Sequence, residues 1–223
     1  MFRELSPERR AEMRVAAIKS AILFAGFIIV SSLVLTQSYL YDFDHWIKGL
    51  RHHTFRGMSS HAILAVDDLG LRSLTATVLI LYAIAVGYRF KTWRPLNLSL
   101  LALVLLNGVV GLSKLVFGRA KPRLAMDLLH SGGLSYPSGH AANALLSWGL
   151  LSYLIFRYSH RAPFTGVNLN WLVGVITISV CTVSLIRNTH WFSDLLGGTL
   201  LGGSILVFLI AVDRAWPSQK QPS

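Results

Sequence analysis

Two histidines, one carboxylate and several cationic side chains are concentrated in three short polar segments of this sequence. The segments are Lys114–Arg123, Pro137–His140 and Arg187–Asp194, and each borders a long apolar stretch. Lys and Arg can neutralise a phosphoryl group, one imidazole can attack phosphorus, and a second can protonate the leaving oxygen. A carboxylate can orient the attacking imidazole. These residue types predict a phosphoryl-transfer site that needs neither a metal ion nor a nucleotide cofactor.

The segment Pro137-Ser138-Gly139-His140 predicts the start of a helix that can bind an anion. Proline and serine are typical of a helix start, and the run that follows is rich in alanine and leucine. The first amides of a helix lack partners within it and attract phosphate. Gly139 would let a phosphate approach the backbone, and Ser138 would donate one more hydrogen bond. Standing alone, the same residues would fit an ordinary Ser-capped helix with an incidental histidine.

His190 and Asp194 are four residues apart, which predicts that they share one face of a helix. The carboxylate could then accept the imidazole N–H and hold the tautomer whose other nitrogen is free to attack phosphorus. Arg187, three residues before His190, would share that face. The alternative for this segment is an interfacial Arg–Asp salt bridge with the histidine packed between the two residues.

The composition indicates an all-α integral membrane protein. Of the 223 residues, 53% are apolar and only 14% are charged, which is unusual for a soluble domain of this length. Six apolar stretches approach the length that crosses about 30 Å of hydrocarbon as a helix. We therefore predict that residues 1–223 form one polytopic, membrane-embedded domain. The predicted transmembrane helices are Val15–Gln37, Ser73–Tyr88, Leu96–Phe117, Ala141–Phe156, Trp171–Ile186 and Leu195–Val212.

Membrane topology explains the net charge of +11 better than nucleic-acid binding does, because most basic residues flank the apolar stretches. The positive-inside rule assigns the N-terminal residues 1–14, the C-terminal residues 214–223 and the segments 89–94 and 157–161 to the cytoplasm. The three polar segments then meet on the extracytoplasmic face of a cell membrane, for which we expect a bacterial inner membrane. The sequence leaves the oligomeric state open.

Lys114 lies near the end of the third predicted helix, and Lys121 follows Gly118-Arg119 in the segment after that helix. Basic residues on the extracytoplasmic side run against the topology rule and need a compensating interaction. Binding the anionic head of a lipid substrate would supply it. The alternative is that these cations only anchor the protein to anionic headgroups.

Between the first two predicted spans, the segment Ser38–Gly70 is expected to form one or two amphipathic helices at the membrane surface, because apolar and aromatic residues are spaced along it. Asp67-Asp68 within it is expected to be a helix cap or surface pair, because adjacent residues on a helix point in different directions. We predict no metal site, although imidazole is a common ligand, because no Cys or Glu joins the histidines of this segment. Those histidines are His45, His52, His53 and His61.

These features resemble the type 2 phosphatidic acid phosphatase superfamily, whose integral members have six transmembrane helices and an active site on the outer face. Its signatures are Lys-x6-Arg-Pro, Pro-Ser-Gly-His and Ser-Arg-x5-His-x3-Asp. In order and spacing, they match three parts of this sequence: Lys114-x6-Lys121-Pro122, Pro137-Ser138-Gly139-His140 and His190-x3-Asp194.

The resemblance implies a role for each matching residue. His190 would be the nucleophile that forms a phosphohistidine, Asp194 its orienting partner, and His140 the general acid. The implied phosphate ligands are Lys114, Lys121, Ser138 and Gly139.

Two positions depart from the signatures. Lys121 stands in place of an Arg, which keeps the charge but loses bidentate geometry. Ser184 stands where the third signature has its Arg, six residues before His190. We expect Arg187, one helical turn nearer to His190, to supply the missing guanidinium if the fifth predicted helix continues through it.

The resulting prediction is a metal-independent phosphatase that hydrolyses a lipid phosphate or pyrophosphate at the extracytoplasmic face. Compact size and short loops slightly favour undecaprenyl pyrophosphate over phosphatidic acid, phosphatidylglycerol phosphate and the phosphates of lipid A. One alternative is a phosphotransferase that passes the phosphoryl group from a polyprenyl pyrophosphate to another lipid. A second is a non-catalytic lipid-binding or transport protein that has lost the usual Arg.

Overall fold

The computed structural model describes residues 7–49, 58–122, 129–159 and 168–215. Arg123, His52, His53 and most of the predicted 214–223 tail lie outside these ranges. Within them, every element longer than a single turn is an α-helix. The helices are α1 (Pro7–Leu35), α2 (Tyr39–Gly49), α3 (Met58–Asp68), α4 (Arg72–Phe90), α5 (Arg94–Phe117), α6 (Gly139–Tyr158), α7 (Leu169–Ile186) and α8 (Phe192–Ala215).

Each of the six predicted apolar stretches overlaps one long helix, and five of these helices are long and apolar enough to cross a membrane: α1, α4, α5, α7 and α8. The remaining helix, α6, buries ten of its 20 residues, including Asn143, Ser147 and Ser152. It packs against α4, α5, α7 and α8, so much of its surface faces protein and need not be apolar. The prediction of an all-helical membrane protein is confirmed, while the count of six spans stays a prediction.

Small residues bring α8 close to its neighbours. A Cβ added at Gly202 would lie 2.7 Å from the carbonyl oxygen of Ala142, so α8 and α6 are in backbone contact there. Against α1, Ser204 and Ser20 each donate a hydrogen bond to the other's carbonyl oxygen, at 3.0 and 2.9 Å. Small and hydroxyl-bearing residues hold membrane helices together in this way. The middle of α8 is therefore held close to α1 and to the first turn of α6.

The segment between the first two spans contains two helices, as predicted. Helix α2 packs against α1 and α8, and α3 packs against α7. Tyr39 and Trp46 on α2 are exposed, whereas Asp44 is almost fully buried. The location of these helices at a membrane surface stays a prediction.

Polar and charged residues collect at the two ends of the helix bundle. At one end, Arg94 and Arg157 both form ion pairs with Asp213, at 2.5 and 2.7 Å. The other end holds the last turn of α5 and the first turns of α6 and α8, with Lys114, His140 and Asp194. The three polar segments are thus brought to a common end.

Candidate active site

His190 and Asp194 are in contact, but they do not lie on one helix. Helix α7 ends at Ile186 and α8 begins at Phe192, so His190 belongs to the turn between them and the prediction of a shared helical face is wrong. The Nδ1 atom of His190 is 3.3 Å from Oδ2 of Asp194. The same oxygen accepts a hydrogen bond from the backbone N–H of Trp191 at 3.0 Å, as a carboxylate in the first turn of a helix often does. This contact leaves Nε2 of His190 available as a nucleophile.

Asp194 is fully buried and has two further donors. Arg119 donates to its Oδ1 at 3.0 Å, and the Ser135 hydroxyl donates to its Oδ2. An ionised carboxylate buried in this way needs several hydrogen bonds to remain charged. Asp194 is therefore held rigidly, and it fixes the imidazole of His190 in turn.

Arg119 is the central cation behind the site and was not among the predicted site residues. It is only 2% exposed, and its guanidinium also donates to Asp44 at 2.8 Å and to Ser193 at 2.6 Å. It further lies 5.1 Å from the ring centroid of Trp191. Arg119 thus joins α2 to the beginning of α8 and contacts the Asp194 carboxylate that also contacts His190.

Asp44 is the second residue that sequence reasoning missed. Besides Arg119, it accepts a hydrogen bond from the backbone N–H of Ser193 at 2.9 Å. Burial raises the pKa of the Asp44 carboxyl, and the nearby Arg119 guanidinium opposes that change. The sequence could have indicated Asp44 through its position in α2. It shares a helical face with Leu40 and Ile47, where an acidic residue is unusual.

The predicted helix start at Ser138 is confirmed. Ser138 is the N-cap of α6, and its side chain accepts a hydrogen bond from the Ala141 N–H at 3.4 Å. Its own N–H donates to the carbonyl oxygen of Asp194 at 2.9 Å, which joins two of the polar segments directly. Gly198 makes this approach possible, because an added Cβ would clash with the carbonyl oxygen of Ser138.

The two histidines face each other across this junction. The ring centroids of His140 and His190 are 6.3 Å apart, and the rings are tilted by 51°. The Nζ atom of Lys114 lies 3.9 Å from where a Cβ of Gly139 would be, so the ammonium stands at the beginning of α6. Lys121 is exposed but close enough for its charge to act on both Lys114 and His140.

Arg187 takes a different position from the one expected. It is the C-cap of α7 and not part of a continuing helix, so the prediction that it shares a helical face with His190 is wrong. Its guanidinium forms an ion pair with Asp67 of α3, and the Ser184 hydroxyl donates to the same carboxylate at 3.4 Å. Asp67 is buried rather than a surface residue, and its charge acts on His140. Arg187 therefore lies beside the site, with part of its charge balanced by Asp67.

Among the described residues, no group of three or more His, Cys, Asp or Glu side chains is arranged to hold a metal ion. His45 instead packs its ring 5.1 Å from that of Trp191, and its Nδ1 lies 2.9 Å from the carbonyl oxygen of Tyr41.

The chain is similar to known lipid phosphatases. It is 25% identical to phosphatidylglycerophosphatase B of Bacillus subtilis over 86% of this chain and 93% of that protein. It is 32% identical to a lipid A 1-phosphatase of Porphyromonas gingivalis over 52% of this chain, but only 24% of that longer protein.

The fold is also similar to a solved structure, that of a transmembrane PAP2-type phosphatidylglycerolphosphate phosphatase from Bacillus subtilis. The TM-score is 0.73 at 21% identity, with 87% of this chain and 94% of that chain covered. A comparison with protein families matches residues 95–217, more than half of the 223 residues, to the PAP2 superfamily. The matched region holds both histidines, Asp194 and the cations around them, and the chain belongs to the PAP2 superfamily.

Proposed function

We propose that this protein hydrolyses the phosphate group of a membrane lipid through a phosphohistidine formed on His190. The observation that carries the proposal is the pair of imidazoles, 6.3 Å apart between ring centroids, with His190 held by a fully buried Asp194. One imidazole is thereby oriented for attack, and a second stands opposite it. That arrangement fits covalent catalysis in which one histidine is the nucleophile and the other is the general acid.

The reaction needs two steps at one phosphorus atom. In the first, Nε2 of His190 attacks phosphorus, the bond from phosphorus to the lipid oxygen breaks, and His140 donates a proton to that oxygen. In the second, water attacks phosphorus and gives a proton to His140, the bond from phosphorus to Nε2 of His190 breaks, and inorganic phosphate leaves. Lys114, Lys121 and Arg187 would stabilise the charge on the equatorial oxygens in both steps.

The backbone at the beginning of α6 supports the same role. The Ser138 side chain accepts from Ala141, so its own hydroxyl proton is available for a phosphate oxygen. The N–H groups of Gly139 and His140 belong to the first turn of α6 and point along its axis. These donors are fixed before substrate arrives, which is the condition for electrostatic stabilisation of a transition state.

For the substrate, we place phosphatidylglycerol phosphate first and undecaprenyl pyrophosphate second. Support for the first is the similarity to phosphatidylglycerophosphatase B, which extends over 86% of this chain. Support for the second is the short loops that the sequence suggested, which favour a lipid with a small head. Phosphatidic acid and lipid A phosphates complete the set to be compared.

A phosphate-release assay on the purified protein tests this proposal. Each of the four lipids is presented in detergent with a metal chelator, and free phosphate is measured. We expect release that continues in the chelator and is greatest with phosphatidylglycerol phosphate. If the substrate carries a labelled phosphate, transfer of the label to a second lipid without release of free phosphate would indicate a phosphotransferase. No turnover of any of the four lipids would indicate a non-catalytic binding protein.

A further inference from the structure

The buried carboxylate of Asp67 contacts the segment that leads to His190, although it belongs to a distant part of the chain. Asp67 is the penultimate residue of α3 and is only 8% exposed. It forms an ion pair with the Arg187 guanidinium and accepts a hydrogen bond from the Ser184 hydroxyl at 3.4 Å. Helix α3 therefore contributes a charged side chain to the surroundings of the candidate nucleophile.

The end of α3 is fixed by contacts that do not involve the Asp67 carboxylate. The indole N–H of Trp148 in α6 donates to the carbonyl oxygen of Leu69 at 2.8 Å. At Gly70, an added Cβ would lie 3.0 Å from the carbonyl oxygen of His140, so the chain after α3 touches the first turn of α6. The Gly70 N–H donates to the carbonyl oxygen of Asp67 at 2.9 Å. Asp67 is thereby held at a fixed place beside His140.

Arg187 is long and partly exposed, so its guanidinium needs a fixed partner if it is to meet a phosphate in one position. It is the C-cap of α7, and 28% of its side chain is exposed. An arginine side chain has many rotamers, and an ion pair with a buried carboxylate restricts them. A guanidinium carries five N–H groups, so the pair with Asp67 occupies only part of it.

The negative charge of Asp67 also has an unfavourable effect at this site. Asp67 is close enough for its charge to act on His140, the second imidazole. A carboxylate at that distance repels an approaching phosphate. Its direct effect on phosphate is therefore repulsive, whereas its effect through Arg187 is favourable. Because the two effects have opposite signs, a substitution that removes the charge distinguishes them.

We propose that Asp67 is a positioning residue, which holds the Arg187 guanidinium where it meets the phosphate attacked by His190. This role rests on the proposed function, because it takes phosphate as the group that Arg187 meets. Asp67 itself does not touch the substrate and acts only through Arg187.

Asp67→Asn tests this role, because it keeps the shape of the side chain and removes its charge. We expect kcat/KM to fall about tenfold in the parent, as a less well-placed donor to the transition state causes. In an Arg187→Ala background the same substitution should change kcat/KM by less than about twofold, since the residue through which Asp67 acts is gone. Asp67→Glu, which keeps a carboxylate, should recover part of the loss.

The matched control is Asp68→Asn. Asp68 is the next residue of α3 and is exposed, so the same change of charge should leave kcat/KM as in the parent. Equal losses from Asp67→Asn with and without Arg187 would overturn the proposal, because Asp67 would then act independently of Arg187. Faster turnover by Asp67→Asn would also overturn it, because the repulsion of phosphate would then be the larger effect.

Binding of orthovanadate, measured by isothermal titration calorimetry, separates this role from the proposed function because it needs no turnover. We expect Asp67→Asn to weaken vanadate binding about tenfold in the parent, but not in Arg187→Ala. If the parent binds vanadate with this coupling but hydrolyses no lipid, the proposed function fails and the role of Asp67 stands. If the parent hydrolyses lipid, and Asp67→Asn matches it in kinetics and vanadate affinity, the role of Asp67 fails alone.

Discussion

At the scale of single residues, the candidate site depends on a buried network behind the two histidines. Arg119 connects Asp44, Ser193 and Asp194, and Asp194 in turn contacts His190. The sequence could place the histidines and the cations, because the signatures have fixed spacing. It could not reveal Arg119 as the hub, because its two carboxylate partners lie 75 residues away on either side in the chain.

Replacing Arg119 should lower the stability of the protein. In Arg119→Met, the carboxylates of Asp44 and Asp194 lose their shared cation, and we expect the free energy of unfolding to fall by about 3 kcal/mol. The double variant Arg119→Met/Asp44→Asn should recover part of that loss, since one unpaired charge is removed. Chemical unfolding in mixed micelles measures the free energy of unfolding of the single and the double variant. Lys19→Met is the control, because Lys19 is exposed. Unchanged stability of the single variant would contradict the network.

Substitutions at Arg187 test whether a guanidinium at the C-cap of α7 reaches the phosphate in place of one at position 184. Arg187→Ala should lower kcat/KM by about a hundredfold, the cost of one lost donor to the transition state, and Arg187→Lys should recover only part of it. Ser184→Arg combined with Arg187→Ala should restore some activity, because both side chains reach the same Asp67 carboxylate. Kinetics close to the parent for Arg187→Ala would remove Arg187 from the phosphate site.

At the scale of helices, apolar stretches predicted where the long helices lie, and the predicted helix Trp171–Ile186 ends at the residue where α7 ends. The spacing of Arg187, His190 and Asp194 nevertheless predicted a shared helical face, because spacing alone cannot distinguish a turn between two helices from a continuous helix. Asp67 and Asp44 were passed over for a related reason. Their importance comes from contacts across the bundle, and a local pattern shows only which face of a helix each residue occupies.

Close packing of α8 against the beginning of α6 should be essential for activity. Gly198→Ala adds a methyl group that clashes with the Ser138 carbonyl oxygen and pushes the two polar segments apart. We expect kcat/KM to fall about a hundredfold, as misplaced catalytic groups usually cause. Gly174→Ala in α7 is the matched control, because an added Cβ there meets no atom within 4 Å. Equal activity of the two variants would show that the close contact is not required.

At the scale of the whole molecule, the positive-inside rule predicts on which side of the membrane the site lies. Labelling of introduced cysteines in intact cells, in a Cys181→Ala background, tests this directly. Ser131→Cys, exposed in the loop before α6, should react with an impermeant maleimide from outside. Arg89→Cys, exposed at the end of α4, should react only after permeabilisation. The reverse pattern would place the site in the cytoplasm.

The central claim is that His190 carries the phosphoryl group during turnover. Lipid substrate labelled on its terminal phosphate, mixed briefly with enzyme and quenched in alkali, should leave label on the protein that is stable to alkali and labile to acid, as a phosphohistidine is. His190→Ala should show no such label and should turn over at least about a hundredfold more slowly. Retention of the label in His190→Ala, or turnover close to that of the parent, would contradict the account.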